Sequence, residues 1–226
     1  MKASMDWTAL ILSLKLAAAT VAVLLPLGIL VARSLAWSAF RGKGWIEAAV
    51  ALPLVLPPTV LGYYLLVVMG SASPIGQLYE SLFGKTLVFS FQGLLIASIV
   101  FNIPFTVQPL QRALEAIPDQ VREAAWCSGM SAWRTFWRIE LPLAWPGVFT
   151  AVTLTFAHTL GEFGVVLMVG GNIPGETKTI AIAIYDRVQA FDHQAAGTMS
   201  ALLLAFSFFS TGIVYLITHR SPRYRV

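Results

Sequence analysis

The chain has 226 residues, 57% of them hydrophobic and 12% charged, with a formal net charge of +4. Soluble domains carry roughly twice that share of charge, so the composition excludes an ordinary water-soluble protein and leaves room for a single membrane domain over 1–226. The basic residues lie in short segments between apolar runs, which excludes a nucleic-acid footprint, and one cysteine excludes an intrachain disulfide or a cysteine metal cluster.

Five stretches reach the roughly 20 apolar residues needed to cross a hydrocarbon core: 10–32, 45–70, 91–113, 141–170 and 199–218. They predict an all-α integral membrane bundle of about five transmembrane helices. The first is expected to be a retained span rather than a signal peptide, because Arg33, Arg41 and Lys43 follow its apolar run instead of preceding it. With the N-terminus outside, ten basic residues fall inside: Arg33, Arg41, Lys43, Arg112, Arg122, Arg134, Arg138, Arg220, Arg223 and Arg225. Five remain outside or near the outer edge: Lys2, Lys15, Lys85, Lys178 and Arg187. This bias favours an outer N-terminus and a cytoplasmic C-terminus.

The second span carries Pro53, Pro57 and Pro58, and the third Pro104 and Pro109. Each removes a backbone donor and tends to kink its helix, which suits either static packing or a wet translocation path. Between these spans, 71–90 reads as an external loop.

The longest polar passage, 118–140, reads as a helix-turn-helix. Pro118 suits the first helical position and Asp119 the positive end of the helix dipole. Gly129 can take the left-handed conformation that stops a helix, and Ser131 can cap the next one. Trp133, Phe136 and Trp137 then share one face and Arg134 and Arg138 another, with Leu141-Pro142 ending the passage. Such a segment suits a membrane surface on one side and a partner on the other; a solvated connector between two spans would have the same periodicity.

The ionisable residues within or bordering the spans are Lys15, Glu47, His158 and Glu162, each a functional candidate because intramembrane charge is costly. His158 and Glu162 share a helix face. They read either as a two-ligand metal pair, one short of a catalytic zinc site, or as a hydrogen-bonded pair that fixes helix packing. The next external segment, 171–197, holds a turn at 172–175 and a short amphipathic helix at 180–190. Only 219–226 follows the last span, so neither a nucleotide-binding nor a regulatory domain is expected there. No Walker A sequence occurs, so the chain is not expected to hydrolyse ATP itself.

The order Glu123-Ala124-Ala125, three residues, Gly129, nine residues, then Ile139-Glu140-Leu141-Pro142 resembles the EAA loop of ATP-binding-cassette (ABC) importer permeases. That resemblance implies a cytoplasmic coupling loop at 118–140 seated in a cleft of an ATPase subunit. Its coupling residues would be Glu123, Ala124, Ala125, Gly129, Ile139, Leu141 and Pro142. Leu160-Gly161-Glu162-Phe163-Gly164 and the following 171–177 resemble the sulfate, molybdate and tungstate branch of these permeases. Ile182-Ala183-Ile184-Tyr185-Asp186-Arg187-Val188 is most similar to the molybdate members.

The implied assembly is a homodimer of this chain, two cytoplasmic ABC ATPase subunits and a periplasmic oxyanion-binding protein, in a bacterial inner membrane. ATP and Mg would be bound by the ATPase, with no cofactor or metal in this chain. Six spans are common in importers and five are expected here, as in molybdate permeases of this length.

A tetrahedral oxyanion needs donors, yet the spans hold almost no cation beyond Lys15. Weak contacts from hydroxyls, amides and backbone N–H groups are therefore expected, with Ser98, Asn102, Thr106, Thr155 and Thr159 as pore candidates. Gly161, Glu162, Phe163 and Gly164 are candidates for the gate. Each hydroxyl could equally bond its own helix. Sulfate and tungstate remain alternatives to molybdate, and a membrane metalloenzyme or a structural scaffold subunit are the readings from other classes.

Overall fold

The structure, a computed structural model, describes residues 5–220, and among these every element is helical. Lys2, Arg223 and Arg225, counted above for orientation, lie outside the described residues, as does the side chain of Arg220.

Helix α1 spans Trp7–Trp37 and is capped by Asp6, whose Oδ1 accepts from Ala9 N at 3.0 Å. Its 31 residues reach about 46 Å at 1.5 Å each, well beyond a hydrocarbon core of about 30 Å. The second expected span is two helices, α2 (Lys43–Val55) and α3 (Pro58–Met69), bent by 110°. The double proline is the cause. A residue before proline is pushed out of the α region, and both Leu56 (ψ 136°) and Pro57 (ψ 136°) are extended. Pro104 and Pro109, by contrast, lie inside α5 (Phe91–Glu115) without interrupting it. The expected loop at 71–90 contains an amphipathic helix, α4 (Pro74–Phe83), capped by Ser73, with Ile75, Leu78, Leu82 and Phe83 exposed.

After α5 come α6 (Asp119–Cys127), α7 (Ala132–Thr135), a π-helical turn (Phe136–Glu140) and α8 (Leu141–Leu143). Leu141-Pro142 does not end this run as the sequence suggested. Proline is tolerated in the first turn of α8, and the chain turns at Ala144 instead, bending 69° into α9 (Trp145–Gly161). The expected fourth span is interrupted at Glu162-Phe163 before α10 (Gly164–Gly170). Helix α11 (Ile180–Gln189) lies where the amphipathic pattern put it. Helix α12 (His193–Arg220) starts six residues before the expected 199, because Asp192 Oδ1 accepts from Ala195 N and stabilises the earlier start.

Among the described residues, three uninterrupted helices, α1, α5 and α12, are long and apolar enough to cross a membrane, and two bent pairs bring the crossings to as many as five. α5 is the centre, packed on α1, α2, α9 and α10. Small residues set these distances: a Cβ on Gly28 of α1 would fall 2.6 Å from Thr106 Cγ2 on α5. Toward one end, Leu35, Leu110, Leu114, Val148 and Ala151 form a continuous core from α1, α5 and α9.

Candidate functional site

The helix-turn-helix closes as its residue types dictate. Pro118 is the N-cap of α6 rather than its first helical residue, and Asp119 occupies the first turn. Gly129 has φ +80°, and Met130 N donates to Ala125 O at 3.1 Å across it, so the left-handed residue ends α6 with its carbonyls satisfied. Ser131 Oγ then accepts from Arg134 N at 3.3 Å as the cap of α7. Glu123, Ala124, Trp126, Cys127 and Gly129 are exposed, while Ala125 is buried beneath them. Trp133, Phe136 and Trp137 form one aromatic cluster with centroids 5.2–5.9 Å apart; Phe136 is buried and both tryptophans are largely exposed. Arg134 and Arg138 are exposed. Ile139 and Leu141 are half-buried, Leu141 packs on the α1–α5–α9 core, and Pro142 is exposed.

Beneath this surface is a group that the sequence reading passed over. The side chain of Glu140 is fully buried. Its Oε2 accepts from Arg33 Nε at 2.9 Å and its Oε1 from Arg122 Nε at 3.2 Å. Arg33 also donates to Ala132 O at 3.4 Å and lies 5.0 Å from the Phe136 ring centre. The Arg122 guanidinium stacks on Trp37 at 3.8 Å and on Trp126 at 4.9 Å. An acid flanked by Ile139 and Leu141-Pro142 was the available signal: in so apolar a setting it needs a buried cation.

The second region is where the broken helices meet. A Cβ on Gly164, at the start of α10, would lie 2.9 Å from Pro58 Cβ at the start of α3, and one on Gly62 would lie 2.8 Å from Met168 Cβ. The two breaks therefore pack against each other. Gly164 thus makes a close approach, whereas Gly161 has nothing within 4 Å of a Cβ and is exposed. Glu162, half-buried and extended, turns its Oε1 to Val165 N at 2.8 Å and so holds the first turn of α10. Phe163, also half-buried, stacks on Tyr185 of α11 at 4.9 Å. A cavity of about 140 Å³ lies between the breaks, lined by Pro53, Leu56, Pro58, Phe101, Phe105, His158 and Glu162, among others.

His158 and Glu162 share this cavity without an ion pair among the described residues. His158 Nδ1 instead pairs with Asn102 Oδ1 at 3.2 Å, and its ring stacks on Phe105 at 3.9 Å and Phe101 at 5.1 Å. No group of three or more His, Cys, Asp or Glu side chains converges among the described residues.

Ser98, Asn102, Thr106, Thr155 and Thr159 are all buried, and four of them form a polar seam between α5 and α9. Asn102 Nδ2 donates to Ser98 O at 2.8 Å and to Thr159 Oγ1 at 2.9 Å; Thr106 and Thr155 hydroxyls bond at 2.7 Å. Thr159 donates back to Thr155 O, while the Ser98 hydroxyl is buried with no partner. Lys15 and Lys85 line a separate open groove of about 780 Å³ with Ser90, Gln92 and Glu176. On α11, partial burial alone would raise the Asp186 carboxyl, but Lys178 Nζ at 2.6 Å and the Asn172 amide hold it below the ordinary carboxylate range.

A bundle with two interrupted helices and an exposed helix-turn-helix at one end has clear relatives. The family model described as "Binding-protein-dependent transport system inner membrane component" matches residues 24–226. The molybdenum transport system permease protein ModB of Azotobacter vinelandii is 50% identical over 220 residues, covering 97% of this chain and 96% of that protein. The protein of the same name from Escherichia coli K12 is 42% identical over 184 residues, 81% of this chain and 80% of the other. Among solved structures, a bacterial ABC transporter involved in the import of the acidic polysaccharide alginate superposes with a TM-score of 0.74 at 17% identity, over 93% of this chain and 79% of that one. The chain is a multi-pass membrane protein, and it belongs to the family of inner membrane components of binding-protein-dependent transport systems.

Proposed function

We propose that this chain is the membrane-spanning subunit of an ATP-driven molybdate importer, working as a homodimer with two cytoplasmic ATPase subunits and a periplasmic oxyanion-binding protein. The observation that carries the substrate is the 50% identity to a molybdenum permease over 97% of the chain. The N-terminus lies outside and the C-terminus in the cytoplasm. Arg33, Arg122, Arg134 and Arg138 then gather at the cytoplasmic end and Lys15 and Lys85 at the outer one, in keeping with the positive-inside bias.

In this reading the ATPase holds the exposed ridge of Glu123, Ala124, Trp126 and Gly129 together with Trp133 and Trp137. ATP and Mg act on the ATPase, and closure of its dimer moves the 118–140 element. The bundle then exchanges between inward- and outward-open states, biased by nucleotide at one end and by loaded binding protein at the other. The buried seam of Asn102, Thr106, Thr155 and Thr159 keeps α5 and α9 moving as one body. The breaks at Leu56-Pro57 and Glu162-Phe163 are the flexible points, since irregular backbone at membrane depth is tolerated only inside protein or along a wet cavity.

The 140 Å³ cavity offers a dianion no cationic side chain. At ~4 Å and an effective dielectric near 20, contact with the Glu162 carboxylate would cost about 4 kcal/mol per unit charge. The cargo therefore passes with weak contacts, and affinity resides in the binding protein. The test is ATPase activity of the reconstituted complex with binding protein loaded by molybdate, tungstate or sulfate. Stimulation greatest with molybdate is expected; stimulation by sulfate alone would reassign the cargo.

A further inference from the structure

The Arg33–Glu140–Arg122 group adds a directional, charged link between three parts of the chain that also share an apolar core: Val121 and Leu141 pack on the cluster holding Ala32 and Leu35, and the Arg122 guanidinium stacks on Trp37 of α1. Arg33 is in the last turns of α1, Arg122 is in α6 one residue before Glu123, and Glu140 closes the π-helical turn that leads to α9. The π turn matters for the geometry. Leu141 N bonds to Phe136 O, five residues back, and the extra residue shifts the helix phase by about 100°. Phe136 and Glu140, four residues apart, are buried on one face while Trp137 and Arg138 stay exposed, and the inserted residue resets the phase of the helices that follow.

Both Glu140 oxygens are occupied, one by each arginine, and each guanidinium is braced on an aromatic ring. Planar guanidinium groups in such a setting fix direction as well as distance. The α6 end is exposed toward the cytoplasm, whereas Arg33 belongs to a helix that crosses the membrane.

We infer that Glu140 is a positioning residue for transport: held between Arg33 and Arg122, it locks α6 to α1, so that displacement of α6 is delivered to the membrane helices rather than absorbed in the 128–131 bend. This rests on the proposed function, in which α6 is the element that the ATPase moves. Without the carboxylate, only the Arg122–Trp37 stack and the non-directional apolar packing of Val121 tie α6 to α1, so α6 can follow the ATPase while α1 lags. Hydrolysis then continues and transport does not.

The experiment compares the full complex in proteoliposomes, with this chain as wild type, Glu140→Gln or Arg33→Lys, together with its ATPase and binding protein. Assembly, ATP hydrolysis and molybdate uptake are read on the same preparations, and the deciding quantity is uptake per ATP hydrolysed. Glu140→Gln keeps the shape but not the charge, and uptake per ATP is expected to fall at least tenfold. Arg33→Lys keeps one full Glu140–Arg122 pair and so preserves the fold, but loses the planar donor; a fall of about threefold is expected.

A merely structural role would lower uptake and hydrolysis together, in proportion to assembled complex, leaving their ratio at the wild-type value. That result overturns the inference, as does failure of both variants to assemble, which would assign the group to folding alone. A wild-type complex that hydrolyses ATP but accumulates no oxyanion would instead overturn the proposed function, whatever the variants do.

Discussion

Glu162 offers a graded test of the break between α9 and α10. Its Oε1 accepts from Val165 N at 2.8 Å, and Gly164 beside it packs on Pro58. A hydrogen bond to a charged group contributes about 1.5–3 kcal/mol and a neutral one about 0.5–1.5 kcal/mol. Glu162→Gln retains an oxygen in place and should weaken the turn by roughly 1 kcal/mol, less than a factor of ten in the population of the observed break. Glu162→Ala removes the acceptor and strands Val165 N–H in a half-dry cavity, a loss of about 1.5–3 kcal/mol or ~10- to 150-fold. Uptake and binding-protein-stimulated ATPase in proteoliposomes separate the two. Glu162→Gln should transport within a few-fold of wild type, and Glu162→Ala should lose most stimulated activity. If Glu162→Gln abolishes uptake in a complex that assembles normally, the charge itself is required, and the view of Glu162 as the residue that shapes this turn is wrong.

Other expectations follow from the helix-turn-helix and from the 171–192 segment. Gly129→Val should cost about 1–2 kcal/mol from its left-handed backbone alone, since a Cβ there meets nothing within 4 Å; uptake should fall sharply, while Gly129→Asn, which visits that region readily, should stay near wild type. Equal activity of the two variants would remove the bend from the account. Cys127, exposed on the same ridge, should react with maleimides from the cytoplasmic side only and be shielded by the ATPase; labelling of intact cells by an impermeant reagent would reverse the topology. Because the folded-state pKa of Asp186 is depressed, its contact with Lys178 should hold from neutral pH down to the ordinary carboxylate value of about 3.9 and be lost only as acid carries it through the lower folded value. Hydrogen exchange of 171–192 from pH 7 to 3 reads this; loosening already between pH 6 and 5 would contradict it. Asp186→Asn should loosen the segment at neutral pH.

Local chemistry was legible in the sequence wherever neighbours decide the outcome. Gly129 and Ser131 end one helix and start the next through bonds that span only a few residues, and they do so here. The double proline at 57–58 announced a kink. Its 110° angle was not readable, because it depends on Gly62 and Gly164 letting α3 and α10 pack break to break. The hydroxyls of α5 and α9 were readable as a polar set but not as a seam, since Asn102 and Thr159 are 57 residues apart. For Glu140 the apolar flanks hinted at burial, but its partner was hidden for the same reason: Arg33 is 107 residues away. Helix α4 escaped because Gly, Ser and Pro at the ends of 71–90 read as a loop, although Ser73 and Pro74 also start a helix well.

The most direct test of ATP-driven oxyanion import is accumulation of isotopically labelled molybdate in sealed proteoliposomes. The chain would be reconstituted with its ATPase and binding protein, with ATP supplied only on the ATPase side. Uptake on the binding-protein side to a concentration above that outside, lost when ATP is replaced by a non-hydrolysable analogue, is the predicted result. Equilibration that is indifferent to ATP, or no entry while hydrolysis proceeds, would contradict it.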